Sequence, residues 1–266
     1  MLRYGSIAIL ILYLIAGQAY AGPFEDGLAA YDRKDYATAL RYWRPLADNG
    51  DAGAQFNIGV MYSRGDGVAQ DDAEAAKWVR KAAEQGLPMA QFELGISHEN
   101  GQGVLQDHSE SMKWLRRAAE NGYAPAQSLL GLTYSLGDGF RNKPDYTEAK
   151  KWFQMAAEQG DVEAQRALGD LYMHFLSDKA EAIKWYHIAA ENGSTRTPEA
   201  LGKLYGSAEF QDPVRAYMWF QIAEATDKSR NFHLQNLKNS VGKGMTPDQI
   251  AEAQRLAQEW MNKHQQ

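Results

Sequence analysis

The chain has 266 residues, with 34 acidic against 28 basic side chains, a formal net charge of −6 and no cysteine. An acidic balance without a basic stripe excludes nucleic acid and anionic membrane surfaces as partners, and the missing thiols exclude disulfides, cysteine metal sites and thiol nucleophiles. The length exceeds what one compact helical core ordinarily holds, which favours an architecture whose units pack only on their neighbours.

Residues 1–21 stand apart from the rest. Arg3 gives a short basic start, Ile7 to Ala16 is an unbroken apolar run, and Ala19-Tyr20-Ala21 fits a small-x-small cleavage site. The run is about half of the ~20 residues that span a bilayer. The segment therefore reads as a signal peptide cleaved after Ala21. That leaves a periplasmic or secreted chain starting at Gly22, with no stable membrane insertion. Tethering by the uncleaved segment is the alternative.

Residues 22–49 read as an N-terminal capping helix pair. Phe24 to Asp48 has almost no loop, and Asp35 caps a helix that carries Ala39 and Trp43. Residues 50–226 then repeat themselves. Gly50 to Lys81 and Gly86 to Arg117 share Ala54-Gln55 with Ala90-Gln91, Gly59 with Gly95, Gly65 with Gly101 and Gly67-Val68 with Gly103-Val104. Asp71 recurs as Asp107 and Lys77-Trp78 as Lys113-Trp114. A third copy runs through Ala126-Gln127, Gly131, Tyr134, Gly137, Gly139, Asp145 and Lys151-Trp152, and two weaker copies follow. A fixed period near 36 residues marks a stacked repeat protein.

Each copy reads as two helices. Ala54, Ile58 and Tyr62 make a stripe at a spacing of four, Gly65-Asp66-Gly67 breaks it, and Asp71 with Glu74 opens the second helix as a capping box. The box recurs as Asp107 with Glu110, Asp145 with Glu148 and Asp178 with Glu181, while Asp212 is followed by Pro213 at the first helical position. Second helices end at Gly86, Gly122, Gly160 and Gly193, where glycine supplies a left-handed cap. The fourth copy drops the Gly-x-Gly turn and joins its helices through Leu176-Ser177-Asp178. In the fifth, Tyr205 to Gln211 forms an altered loop.

Gly59, Gly95, Gly131, Gly169 and Gly202 sit inside first helices, where glycine costs about 1 kcal/mol relative to alanine. The expected compensation is close approach of the second helix, with the recurring tryptophan against the gap. That series is Trp43, Trp78, Trp114, Trp152, Trp185 and Trp219. Residues 227–266 leave the repeat and read as C-terminal capping helices. Leu234, Leu237 and Val241 predict one, and Thr246, Pro247 and Gln249 open another with Ile250, Ala253, Ala257 and Trp260 on its apolar face.

The pattern A-Q-x-x-[IL]-G-x-x-Y-x-x-G-x-G-V, an acidic cap and A-x-K-W, complete from Ala54 to Trp78, resembles the Sel-like repeat subclass of tetratricopeptide-type α/α repeats. In the second copy His98 replaces Tyr and Ser111 replaces Ala; in the third Phe140 replaces Val. The resemblance covers most of Phe24 to Thr226, and Met245 to Trp260 is similar to the terminal helix of bacterial members. It implies an all-α, right-handed α/α solenoid of about five to six helix pairs with a C-terminal helical cap. It also implies an exported or membrane-associated adaptor with no shared active site.

No catalytic, cofactor-binding or metal-binding residues are expected. His98, His108, His174, His187, His233 and His264 include no pair at i+3 or i+4, and no G-x-S-x-G elbow occurs. The leading expectation is a periplasmic scaffold holding a protein or peptide in cell-envelope assembly or regulation. The alternative is an envelope hydrolase acting on peptidoglycan or β-lactams, an activity the resemblance carries only from cysteine-rich relatives. In tetratricopeptide-type folds the first helices line the concave face. Counting from each repeat glycine, the groove positions are Phe56, Val60 and Arg64, then Phe92, Ile96 and Asn100, then Ser128, Leu132 and Leu136. Arg166, Asp170 and His174 follow, with Glu199 and Lys203 last. This predicts an apolar groove over three repeats and a charged one over two, unless Phe56 and Phe92 bury against the adjacent repeat.

Overall fold

The computed structural model describes residues 22–137 and 143–264. The leader 1–21 and the positions of Gly139 and Phe140 lie outside them. The described residues form fourteen α-helices and no strand. These are α1 (Pro23–Asp32), α2 (Tyr36–Asp48), α3 (Ala52–Arg64), α4 (Asp72–Glu84), α5 (Pro88–Asn100), α6 (His108–Glu120) and α7 (Ala124–Leu136). They continue as α8 (Tyr146–Glu158), α9 (Val162–His174), α10 (Lys179–Glu191), α11 (Thr197–Tyr205), α12 (Pro213–Thr226), α13 (Asn231–Gly242) and α14 (Pro247–His264). The helices pack as adjacent pairs in two compact units, divided between Ala126 and Gln127.

In the first unit α1 pairs with α2, α3 with α4 and α5 with α6, and α2 and α4 carry each pair to the next. In the second, α9 pairs with α10 and α11 with α12, and α13 and α14 both lie on α12. Leu234 is buried, and the Trp260 ring stands edge-on to Trp219 at 5.5 Å, so the capping helices cover the last repeat's core as the apolar pattern predicts.

The ends of the second helices share one geometry. At Gly86 (φ +91°) the N–H bonds to the Ala83 carbonyl at 3.0 Å, and Leu87 N–H bonds to Ala82 at 3.2 Å. This pair of reversed bonds is a Schellman cap, which needs a left-handed residue. It recurs at Gly50, Gly122, Gly160 and Gly193, all with φ between +84° and +94°.

The starts hold as N-caps, with one change. Asp71, Asp107, Asp145, Asp178 and Asp212 each accept a backbone N–H three residues on. The predicted return bond from the glutamate is not made. Glu74, Glu110, Glu148 and Glu181 instead reach the lysine three residues further, at Lys77, Lys113, Lys151 and Lys184. Among the described residues a complete reciprocal box forms only before α14, where Thr246 N–H donates to Gln249 at 2.9 Å and Gln249 N–H to Thr246 at 3.2 Å.

The mid-helix glycines are closed over, but not by the tryptophans. A Cβ on Gly59 would lie 2.7 Å from Val79, and one on Gly95 2.9 Å from Leu115. At Gly131, Gly169 and Gly202 the closing rings belong to Phe153, Tyr186 and Phe220. In all five cases the filler is the residue after the tryptophan. Only in the first pair does the indole itself close the gap, where Trp43 covers Gly27. Trp78 and Trp114 enter the cores at the repeat junctions, and Trp185 alone of the series is only half-buried.

Candidate protein-binding site

The repeats are held together by a recurring amide bracket. Gln55, buried on α3, donates to the Ala47 carbonyl in the last turn of α2 at 3.0 Å. Its own oxygen accepts from Gln85, the cap of α4, at 2.8 Å. Gln91 repeats the arrangement, donating to Ala83 at 3.1 Å and accepting from Asn121 at 2.9 Å. In the second unit Gln165 donates to Ala157 at 3.1 Å and accepts from Asn192 at 3.0 Å. One amide thus ties three helices, with its own buried nitrogen and oxygen both satisfied.

The expected groove residues separate into three kinds. Phe56 is 1% exposed and lies among Val79, Ala90, Leu94 and Trp114, so it fills the junction between repeats and does not line a surface. Val60 packs half-buried on the same cluster, and Ile96 is also half-buried. Phe92 is half-buried with its ring edge-on to Tyr123 at 5.4 Å. Arg64 and Asn100 are exposed at helix ends, and the Arg64 guanidinium donates to the Tyr31 hydroxyl at 3.2 Å. That hydroxyl donates onward to Asp66 at 2.5 Å, and burial, then the Asp66 bond, push its pKa up to about 12.

In the second unit Ser128 is half-buried, whereas Leu132 and Leu136 are 39% and 67% exposed. The charged positions are spent on each other. Arg166 is bracketed by Glu163 and Asp170, and Asp170 also accepts from the Tyr186 hydroxyl at 2.7 Å. His174 is exposed, its ring against Phe175. Glu199 is no groove residue. It is 6% exposed and binds Lys203 at 2.6 Å, Arg230 at 2.7 Å and His233 at 3.3 Å, which ties α11 to the capping segment. Burial pushes its carboxyl up, but Lys203, Arg230 and His233 together outweigh that and hold it below the usual range.

Two polar residues of the first helices escaped the register read from the sequence. Asn57 on α3 and Glu93 on α5 stand two positions before their glycines, about 200° around the helix and so away from the second helices. Asn57 is 3% exposed, and its Nδ2 has no hydrogen-bond partner. Glu93 is half-buried and makes no hydrogen bond or ion pair among the described residues. Burial pushes its carboxyl up, and Arg64 draws it only partly back. The available signal was a lone carboxylate at a mid-helix position whose counterparts are Asn57, Leu129 and Ala167.

Histidine chemistry is absent from this face. His98 takes the repeat's tyrosine place, buried, with Nδ1 3.3 Å from the Leu105 carbonyl and Nε2 3.2 Å from Arg80. Among the described residues no group of three or more His, Asp or Glu side chains is placed to hold a metal ion. No helix among them is long and apolar enough to cross a membrane.

A family model for the Sel1 repeat matches residues 15–51, 52–87, 88–123, 124–161, 162–194 and 200–225. The chain belongs to the Sel1 repeat family. The crystal structure of a Sel1 repeat protein from Oxalobacter formigenes is 32% identical, with a TM-score of 0.67 over 89% of this chain and 99% of its own. A protective antigen with an SLR fold, present in uropathogenic Escherichia coli strains, is 24% identical over 91% of this chain and 68% of its own, with a TM-score of 0.43. The immunity protein Pa5087 from Pseudomonas aeruginosa is 17% identical over 71% of this chain and 81% of its own, at 0.40. No curated protein matches the chain. Sel1 repeat proteins are in general scaffolds for protein interaction and mostly not catalytic. They are often extracytoplasmic.

Proposed function

We propose that this Sel1 repeat chain is an exported scaffold that holds a protein or peptide partner against the inner face of α3 and α5, in the assembly or regulation of the cell envelope. The observation that carries the reading is the partly open apolar surface of Val60, Phe92 and Ile96 on successive first helices. The corresponding charged positions on α9 and α11 are already engaged with one another or with the cap. Stacked helix pairs offer extended surfaces of this kind to partners, and apolar area among polar residues marks where they dock.

The test pairs Phe92→Glu with Ile96→Lys. Both side chains are only half-buried, so helicity should be preserved while cross-linked capture from envelope extract is lost. Capture by the double variant at the level of the unaltered chain would overturn the assignment. Export is checked by intact mass: the secreted chain should begin at Gly22, and a full-length chain retained in membranes would exclude release.

A further inference from the structure

Several carboxylates on the first helices and their turns are already answered. Glu199 holds Lys203, Arg230 and His233, Asp170 holds Arg166 and Tyr186, and Asp66 holds Tyr31. Glu93 differs. It lies half-buried on α5 without a hydrogen bond or ion pair among the described residues, next in sequence to Phe92 and within electrostatic reach of Tyr123 and Arg64. An ionised carboxylate kept from water without a partner is costly. At the equivalent place on α3, one repeat earlier, Asn57 also leaves its amide nitrogen unbonded. Asn57 is closed off from solvent, so Glu93 is the unspent polar group that a ligand can reach, on a helix that also carries the half-buried Phe92 and Ile96.

The chemistry of that ligand follows from the sign of the charge and the shape of the wall. We propose that Glu93 is the recognition group for a lysine or arginine side chain of the partner, seated between the carboxylate and the Phe92–Tyr123 ring pair. A long basic side chain lays its methylene stem along apolar rings and keeps its charged head at their edge, where ring faces also attract a cation. Acidic segments are repelled here, and a neutral one would leave the carboxylate unpaired. The inference rests on the scaffold reading above and names the partner's chemistry: a segment with one basic residue flanked by apolar ones.

The experiment selects displayed random twelve-residue peptides on the purified full chain and on its Glu93→Gln and Glu93→Lys variants. Against the unaltered chain, the selected peptides should share Lys or Arg at one fixed position beside apolar residues. Glu93→Gln should bind those peptides roughly tenfold or more weakly, the loss of one well-placed charge contact. Glu93→Lys should select Asp or Glu at the same position. Because glutamine is isosteric, melting of Glu93→Gln at or above the unaltered chain shows that the fold is intact. Selected peptides without a basic consensus, or with unchanged affinity for Glu93→Gln, overturn the inference and leave the scaffold reading standing. A dimer of the chain that Glu93→Gln dissociates would place a second copy on the face and also overturn it. Absence of any selected peptide, together with unchanged capture by the Phe92→Glu, Ile96→Lys variant, overturns both.

Discussion

The side-chain oxygen of Gln91 on α5 accepts from the amide of Asn121 at the end of α6, 2.9 Å away and thirty residues on. The same glutamine's nitrogen reaches back to Ala83 on α4. A single buried amide therefore senses the position of the repeat before it and of its own second helix.

Replacing Gln91 with leucine should cost about 2–3 kcal/mol. The volume is kept, but the buried Ala83 carbonyl is left with the Gly86 N–H and no side-chain donor, and Asn121 loses its acceptor. Asn121→Ala should cost only about 1 kcal/mol, because that site is exposed and the carbonyl bond survives. Urea midpoints of the two variants check the order. Equal losses would mean the bracket is not anchored at Ala83.

Much of the fold was legible because the relevant signals are local. Asp71 and Asp107 cap helices through bonds to backbone groups three residues away, and Gly86 and Gly122 adopt the left-handed conformation inside one turn. What stayed hidden depends on direction across space. Trp78 and Val79 are neighbours in sequence but about 100° apart around α4, and packing alone decides which of them covers Gly59. Phe56 fits an open groove or a repeat junction equally well by period, and its burial between α4 and α5 decides for the junction. The role of Gln55 does not follow from the recurrence of the Ala-Gln pair, since its partners at Ala47 and Gln85 belong to other helices. Glu93 was passed over because the register counted side positions of the helix and not the one facing away from its partner.

Gly95→Ala should destabilise by about 1–3 kcal/mol, even though alanine is the better helix former by about 1 kcal/mol. The new Cβ would stand 2.9 Å from Leu115 Cγ and 3.2 Å from the Leu115 backbone nitrogen. The side chain yields but the backbone does not, so adding Leu115→Ala should recover only part of the loss. A thermal melt in which Gly95→Ala gains stability would remove close approach as the reason for the glycine.

The three units without a Gly-x-Gly turn carry their strain in the same place. Lys34, Ser177 and Gln211 have φ of +63°, +55° and +46°, each just before the capping aspartate. Left-handed backbone costs a non-glycine residue about 1 kcal/mol or more. Ser177→Gly should therefore stabilise by about 0.5–1 kcal/mol despite the larger entropy of the unfolded chain. An unchanged melting midpoint would show that the turn is relaxed as it stands.

Glu199 and Glu93 should respond to pH with opposite signs. The Glu199 carboxyl is held low by Lys203, Arg230 and His233 against the opposing effect of burial, so its contribution is fully present above the unfolded value near ~4.3 and is lost as pH falls through the lower folded value. Glu93 is pushed up by burial with only Arg64 opposing, so folding is penalised once pH rises above the unfolded value, and the penalty is complete above the folded one. Melting curves from pH 3 to pH 8 separate the two. Glu199→Gln should lose about 1–2 kcal/mol at neutral pH, because it removes the charge that Lys203, Arg230 and His233 share while those half-exposed partners return to water, and should flatten the acid limb. Glu93→Gln should instead gain stability at neutral pH, with the gain fading below about pH 4. If both variants lost stability at pH 7 and regained it in acid, Glu93 would have a partner within the fold, and the unspent charge on the inner face of α5 would not exist.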